Sequence, residues 1–358
     1  MRAYSLIAAL LLAITASLPL NAQKLLWDVG FRFGLDNREY ASMETSPSFT
    51  AFGAVMTPKA GLGWGEGHSI MGGVAVERYF GQVTPALKVS PVLYYQYESP
   101  GFSAYAGALP MNKLSGEYPR AFMDDMIFFD PVLEGALFRY RSDSWEIEAS
   151  VDWLSCLDTD VRERFAVYSY GRKDFGFFRM GYSMMMHHFS ISGTLKNVVD
   201  NVWLYPFVRF DFSGMTPLSE FYVKGGWIQT FQNDRANNTG YLMPGGFQGE
   251  LVLEKWGVGI SETVYAGKNL QPFFNTPDAN GNIYGTELYF GDRFYGTSSG
   301  IYNRTEPYYA PKIGRFLSVQ IAFAVHYDGF GWGTQQLVRL TADLNGDLFK
   351  TRGKRKKP

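Results

Sequence analysis

The sequence has 358 residues, with 33 Lys and Arg against 34 Asp and Glu, for a formal net charge of −1. Charged residues reach only 19%, below the roughly 25% of soluble domains, whereas aromatics make up 17% beside 39 glycines. The hydrophobic share of 46% excludes a disordered chain, and a single cysteine, Cys156, excludes a disulfide framework within one chain.

In chain order, Arg2, an apolar run over 6–20 and Asn21-Ala22-Gln23 read as a secretory signal peptide, residues 1–22. No cysteine lies near that cut, so a lipidated terminus is excluded. Beyond residue 22 no run of 18 apolar residues exists, which excludes a helical membrane span. The rest divides into a body, 23–349, and a basic tail, 350–358, with six Lys and Arg. The tail is expected to be a solvated periplasmic end.

The body alternates at period two. Trp27, Val29, Phe31 and Phe33 interleave with Asp28, Gly30, Arg32 and Gly34. Trp145, Ile147, Ala149, Val151 and Trp153 interleave with Glu146, Glu148, Ser150 and Asp152. Leu317 to Tyr327 and Val338 to Leu344 repeat the pattern. Successive strand side chains point to opposite faces, so each segment has one apolar and one polar side. A soluble sandwich would bury the apolar faces against each other, whereas a membrane barrel turns them to lipid. Aromatic strand ends, a charged Gly-rich second face and the absence of a helical span favour the barrel.

Connections alternate in length. Long ones fall near 36–49, 80–86, 108–130, 155–161, 193–200, 232–245 and 267–300. Short ones fall at 65–67, 99–101, 142–144, Arg172-Lys173, 213–218, 254–255 and 311–314. This predicts an all-β, transmembrane, antiparallel up-and-down barrel of about 16 strands, within 14–18.

Taken together, these features resemble the outer-membrane β-barrels of Gram-negative bacteria, porins among them, over essentially the whole body. The resemblance implies location in the outer membrane, contact with its lipid, and delivery by the barrel-assembly machinery. The last strand, from Gln335 to Leu344 or Phe349, is similar to the strand that machinery recognises, although here a basic tail follows the aromatic.

The expected pore-lining residues are Arg139, Arg141, Glu146, Glu148, Asp152, Arg179, Arg209, Asp211, Glu250, Glu254, Arg339 and Asp343, opposed across a lumen. The stretch rich in Phe and Met at 122–129 is expected to fold inward as a constriction or to form a patch for a partner. The leading expectation is a porin-like channel for small hydrophilic solutes, with no catalytic residue, cofactor or metal, no nucleic-acid partner, and scope for homo-oligomers.

One alternative is a barrel enzyme acting on envelope lipid. Phospholipases and lipid A deacylases of this architecture carry His-x-Ser on one strand, and His188-Phe189-Ser190 is similar. Because Phe189 and Ile191 occupy the apolar register, His188 and Ser190 are expected to point into the lumen, away from lipid. Adjacent His187 and His188 face opposite ways and do not form a metal pair. Omptin-like proteolysis would draw on Asp124, Asp125, His326 and Asp328. The segment from Asp278 lacks the acidic twelfth position of a calcium loop, which is Tyr289 here. A third alternative is a sealed structural or assembly barrel.

Overall fold

The computed structural model describes residues 24–347 apart from 84, 85, 238, 239 and 279. The expected signal segment, Phe349 and the basic tail lie outside the described residues. Seventeen strands follow in chain order: β1 (Lys24–Glu39), β2 (Phe49–Trp64), β3 (His68–Tyr79), β4 (Lys88–Glu98), β5 (Phe102–Pro110), β6 (Val132–Arg141), β7 (Trp145–Ser155), β8 (Arg164–Phe175), β9 (Phe178–Phe189), β10 (Val199–Asp211), β11 (Glu220–Asp234), β12 (Gly245–Lys255), β13 (Val258–Gly267), β14 (Ile301–Tyr309), β15 (Lys312–Ile313), β16 (Leu317–Tyr327) and β17 (Trp332–Asp347). Each pairs antiparallel with its neighbour, and β1 pairs β17 from Leu26–Asp347 to Glu39–Thr334, closing the sheet. β15 prolongs β14 past Pro311, and both pair with β16, so the wall has 16 staves. Closure leaves no strand edge unpaired, the condition for a sheet to cross lipid.

The two faces sort as the alternation requires. On β7, Glu146, Glu148, Ser150 and Asp152 are buried inside, while Trp145, Ile147 and Trp153 are exposed outside. Val89, Leu93, Phe138, Val264, Ile321 and Phe323 extend this outward apolar surface around the barrel. Such area would cost about 25 cal/mol per Å² in water, and hydrocarbon removes that cost. One closed sheet, rather than two stacked ones, excludes the soluble sandwich.

Short turns gather at one end and long connections at the other, the arrangement that places turns in the periplasm and loops outside. At the turn end Trp256 (φ 57°) and Gly257 (φ 83°) form a two-residue hairpin with both residues left-handed. The turn expected at Arg172-Lys173 instead falls at Gly176-Phe177, where Gly176 (φ 75°) supplies the left-handed position. Lys173 stays in β8, its ammonium 4.9 Å from the Trp145 ring centroid.

Inside, the lumen is not lined by charge alone. The connections 111–131 and 268–300 fold into it and carry Phe122, Leu270, Phe273, Tyr284, Leu288, Phe294 and Tyr295. These pack on inward residues of β8–β10, among them Tyr168, Tyr170, Phe189, Trp203 and Tyr205. Over residues 202–208 β10 is therefore apolar on both faces. The two inward segments are joined by Asp124 N–H to Phe290 O (3.0 Å) and Asp292 N–H to Arg120 O (2.7 Å).

Candidate functional site

The inward segment 111–131 is fastened to the wall by charge. Buried Asp125 receives Arg339 at 2.5 Å, Arg304 at 3.4 Å, Gln335 at 3.1 Å, and Arg120. These cations hold its carboxyl well below the usual range despite complete burial. Asp124 caps the following turn by accepting from Met126 N–H (2.8 Å) and from Arg38 (3.2 Å), which also grips Asp36. His326 bonds Tyr40, Tyr302 and Gln335, while Asp328 accepts from the backbone of Glu44, Phe330 and Gly331. The residues of the omptin-like alternative are thus engaged in loop and wall contacts.

The expected lining residues lie on the inward side or at its rim, but their charges pair with near neighbours instead of opposing across an open bore. Glu148 binds Arg139 and accepts from Ser115 and Gly116 N–H at 3.0 and 2.9 Å. Glu146 binds Arg141 (2.5 Å) and Arg172 (2.9 Å), and Arg179 binds Asp174 (2.5 Å) and Glu117 (2.8 Å). Arg209 binds Asp211 (2.7 Å), Glu250 faces Lys224 (3.4 Å), and Glu254 accepts from Tyr308 (3.2 Å). Among the described residues Asp152 accepts only from Glu134 N–H (2.9 Å), and Asp343 lines a cavity with Asp28, Arg32 and Lys59. Arg339 serves Asp125. Side chains sharing one face of adjacent strands are within reach, so local pairing replaces the expected transverse field.

The outer face corrects a second expectation. Phe189 is fully buried inside, and so is His187, whose Nδ1–H donates to Leu288 O at 2.9 Å. His188 therefore points outward, not into the lumen. Its ring stacks on Phe165 (centroids 4.7 Å apart, 24° between planes), and Phe165 stacks on Trp153 at 5.1 Å. The polar-inward alternation of the rest of the wall breaks here because Met185 and Phe189 of the inward row pack on the inward segments. Across the ladder on the other side, His188 opposes Asp200, whose carboxylate is held by Arg235 (2.9 and 2.7 Å) and the Tyr241 hydroxyl (3.2 Å).

Ser190 follows at the loop end of β9. Its N–H donates to Glu163 O (3.0 Å), Glu163 N–H donates to Ile191 O (3.0 Å), and Arg162 donates to Ser190 O (2.8 Å). The backbone that carries Ser190 is thus fixed. Among the described residues, neither the His188 ring nor the Ser190 hydroxyl makes a hydrogen bond. In outer-membrane barrels this end of the wall faces the outer leaflet.

A family model described as Lipid A 3'-O-deacylase-type matches residues 20–188, a span that includes His188 and stops two residues before Ser190. This match overturns the expectation that the barrel is not an enzyme. No curated protein matches by sequence. Among solved structures, a loop L8 deletion mutant of OmpT, an outer membrane protein of Vibrio cholerae, is similar at 10% identity, with TM-score 0.53, over 90% of this chain and 100% of that one. OmpT of Vibrio cholerae expressed in the outer membrane is similar at 10% identity, with TM-score 0.52, over 91% and 99%. At that identity the likeness concerns fold. With the closed sheet and its outward apolar belt, it makes the chain an outer-membrane β-barrel.

Proposed function

We propose that this barrel is an outer-membrane hydrolase that removes an ester-linked acyl chain from a lipid of the outer leaflet. The observation that carries the reading is the outward position of His188 at the loop end of β9, where an acyl ester of a packed lipid would lie. His188 acts as general base on the Ser190 hydroxyl two residues along the chain, and the serine oxygen attacks the ester carbonyl. Protonated His188 then donates to the departing alcohol oxygen, and water releases the fatty acid from the serine. Asp200, opposite His188 in the ladder, is already paired with Arg235 and Tyr241, so the imidazolium does not rely on its charge. The aromatic row Trp153–Phe165 offers a flat surface for acyl chains and holds the ring. The family match supports the same chemistry. The test is fatty-acid release from lipid A-containing vesicles by refolded protein. Release by the wild type and a loss of about 100-fold or more in Ser190→Ala and His188→Gln is expected. No release, or unchanged release in both variants, contradicts the reading.

A second reading, passage of small polar solutes, is supported by three cavities in series. One of about 460 Å³ opens among Pro47, Phe49 and Thr286, and shares Met111, Met123, Asp124 and Ile127 with a second of about 450 Å³. The second shares Arg32 and Asn112 with a third of about 230 Å³ that reaches Asn345 near the turn end. It uses the lumen and leaves the outer face free for hydrolysis. Planar-bilayer recording decides it: unit conductance supports passage, and silence at all voltages removes it.

A further inference from the structure

We infer that the cavity of about 460 Å³ at the loop end of the lumen is a binding site for a small organic cation with an apolar body. Its volume is that of a small-molecule pocket. Three of its lining carboxylates, Asp130, Asp152 and Asp292, have no ion pair among the described residues. Asp292 is 5% exposed, and among the described residues its carboxylate accepts no hydrogen bond; only its backbone groups are used, by Arg120, Gln271 and Tyr295. Asp152 is 3% exposed with one backbone donor. Burial of a carboxylate without a partner is costly, and a cation entering beside it returns the missing interaction.

The two guanidiniums in the same wall supply only part of it. Arg38 is already committed to Asp36 and Asp124, and Arg293 lies over the Phe274 ring at 4.7 Å. The remaining lining is apolar and aromatic, including Phe49, Tyr168 and Phe290, surfaces that bury an apolar body and attract an ammonium through their ring faces. The Tyr168 hydroxyl has no partner among the described residues and is free to accept from the ligand. Anions are disfavoured by the carboxylates, and a neutral donor gains a hydrogen bond from them but no charge attraction. The site stands apart from the outward face of His188, so it does not depend on the hydrolase reading.

The test is calorimetric titration of the refolded full chain in detergent at pH 7.5, with the heat of empty micelles subtracted. Phenethylammonium and its neutral counterpart phenethyl alcohol are the probes. Saturable binding of the cation, at least ten-fold tighter than the alcohol and weakened at least ten-fold in Asp292→Asn, is expected. Asp152→Asn provides a second variant, and heat-modifiable gel mobility verifies that each is folded. The inference is overturned by no saturable binding at millimolar cation, by equal binding of the two probes, or by affinity unchanged in both folded variants.

Discussion

The imidazole of His188 lies against the ring of Phe165 on the outside of the barrel, with centroids 4.7 Å apart and planes 24° from parallel. The contact ties a residue of hydrolytic chemistry to a lipid-facing aromatic on the neighbouring strand. If Phe165 holds the base in place, Phe165→Ala lowers the turnover of acyl release about ten-fold while leaving lipid affinity less affected. The barrel should still show heat-modifiable mobility, because an outward side chain contributes little to the inner packing. A fall in affinity alone would assign Phe165 to lipid binding instead.

Asp125 is the acceptor that fastens the inward segment. Asp125→Ala takes away the anion shared by Arg120, Arg304 and Arg339, of which Arg120 and Arg304 keep Glu306, and removing one partner of a buried charge cluster costs about 3–5 kcal/mol. The expected outcome is protease cleavage within 111–131 and a lower urea midpoint, with the wall strands intact by circular dichroism. A resistant segment would show that the aromatic packing alone holds it.

The two inward segments touch where Gly291 passes Ala121. A Cβ at residue 291 would lie 1.9 Å from the Ala121 carbonyl oxygen, so Gly291→Ala forces the segments apart. We expect a loss of about 1–3 kcal/mol by urea unfolding. Gly214→Ala, where a Cβ meets nothing within 4 Å, serves as the neutral control.

Burial raises the Asp292 carboxyl to about 6, and Arg38 and Arg120 offset only part of the effect. The folded state therefore binds this proton more tightly than the unfolded chain, whose carboxyl has its ordinary value of 3.8. Its contribution to stability is fully present below that value and is lost as pH rises through about 6. Asp125 is shifted the other way and loses its contribution only at lower pH, outside this window. In urea unfolding, Asp292→Asn should gain on the wild type by a few kcal/mol at pH 7.5 and by much less at pH 4.5. Parallel pH profiles would show that Asp292 does not titrate in this range.

The wall was legible in the sequence because lipid and a charged interior impose opposite demands on alternate residues. Glu146 to Asp152 inside and Trp145 to Trp153 outside follow that rule directly. It fails on β9 and β10, where Phe189, Trp203, Tyr205 and Phe207 point inward onto the segments 111–131 and 268–300. Their partners lie far along the chain, so no local pattern announces them. Apolar residues on both rows of 202–208 were the available signal that a strand is covered on both sides. His188 and Ser190 are visible as a pair in the sequence, whereas the outward direction of His188 is not, for the same reason. Asp292 carried no signal, because its isolation depends on how the inward segments meet.

The most direct measurement of the hydrolase account is fluorophosphonate labelling of refolded protein, followed by peptide mapping by mass spectrometry. The account predicts an adduct on Ser190 in the wild type and its loss in folded His188→Gln. No adduct, or an adduct on another serine that persists in His188→Gln, would contradict it.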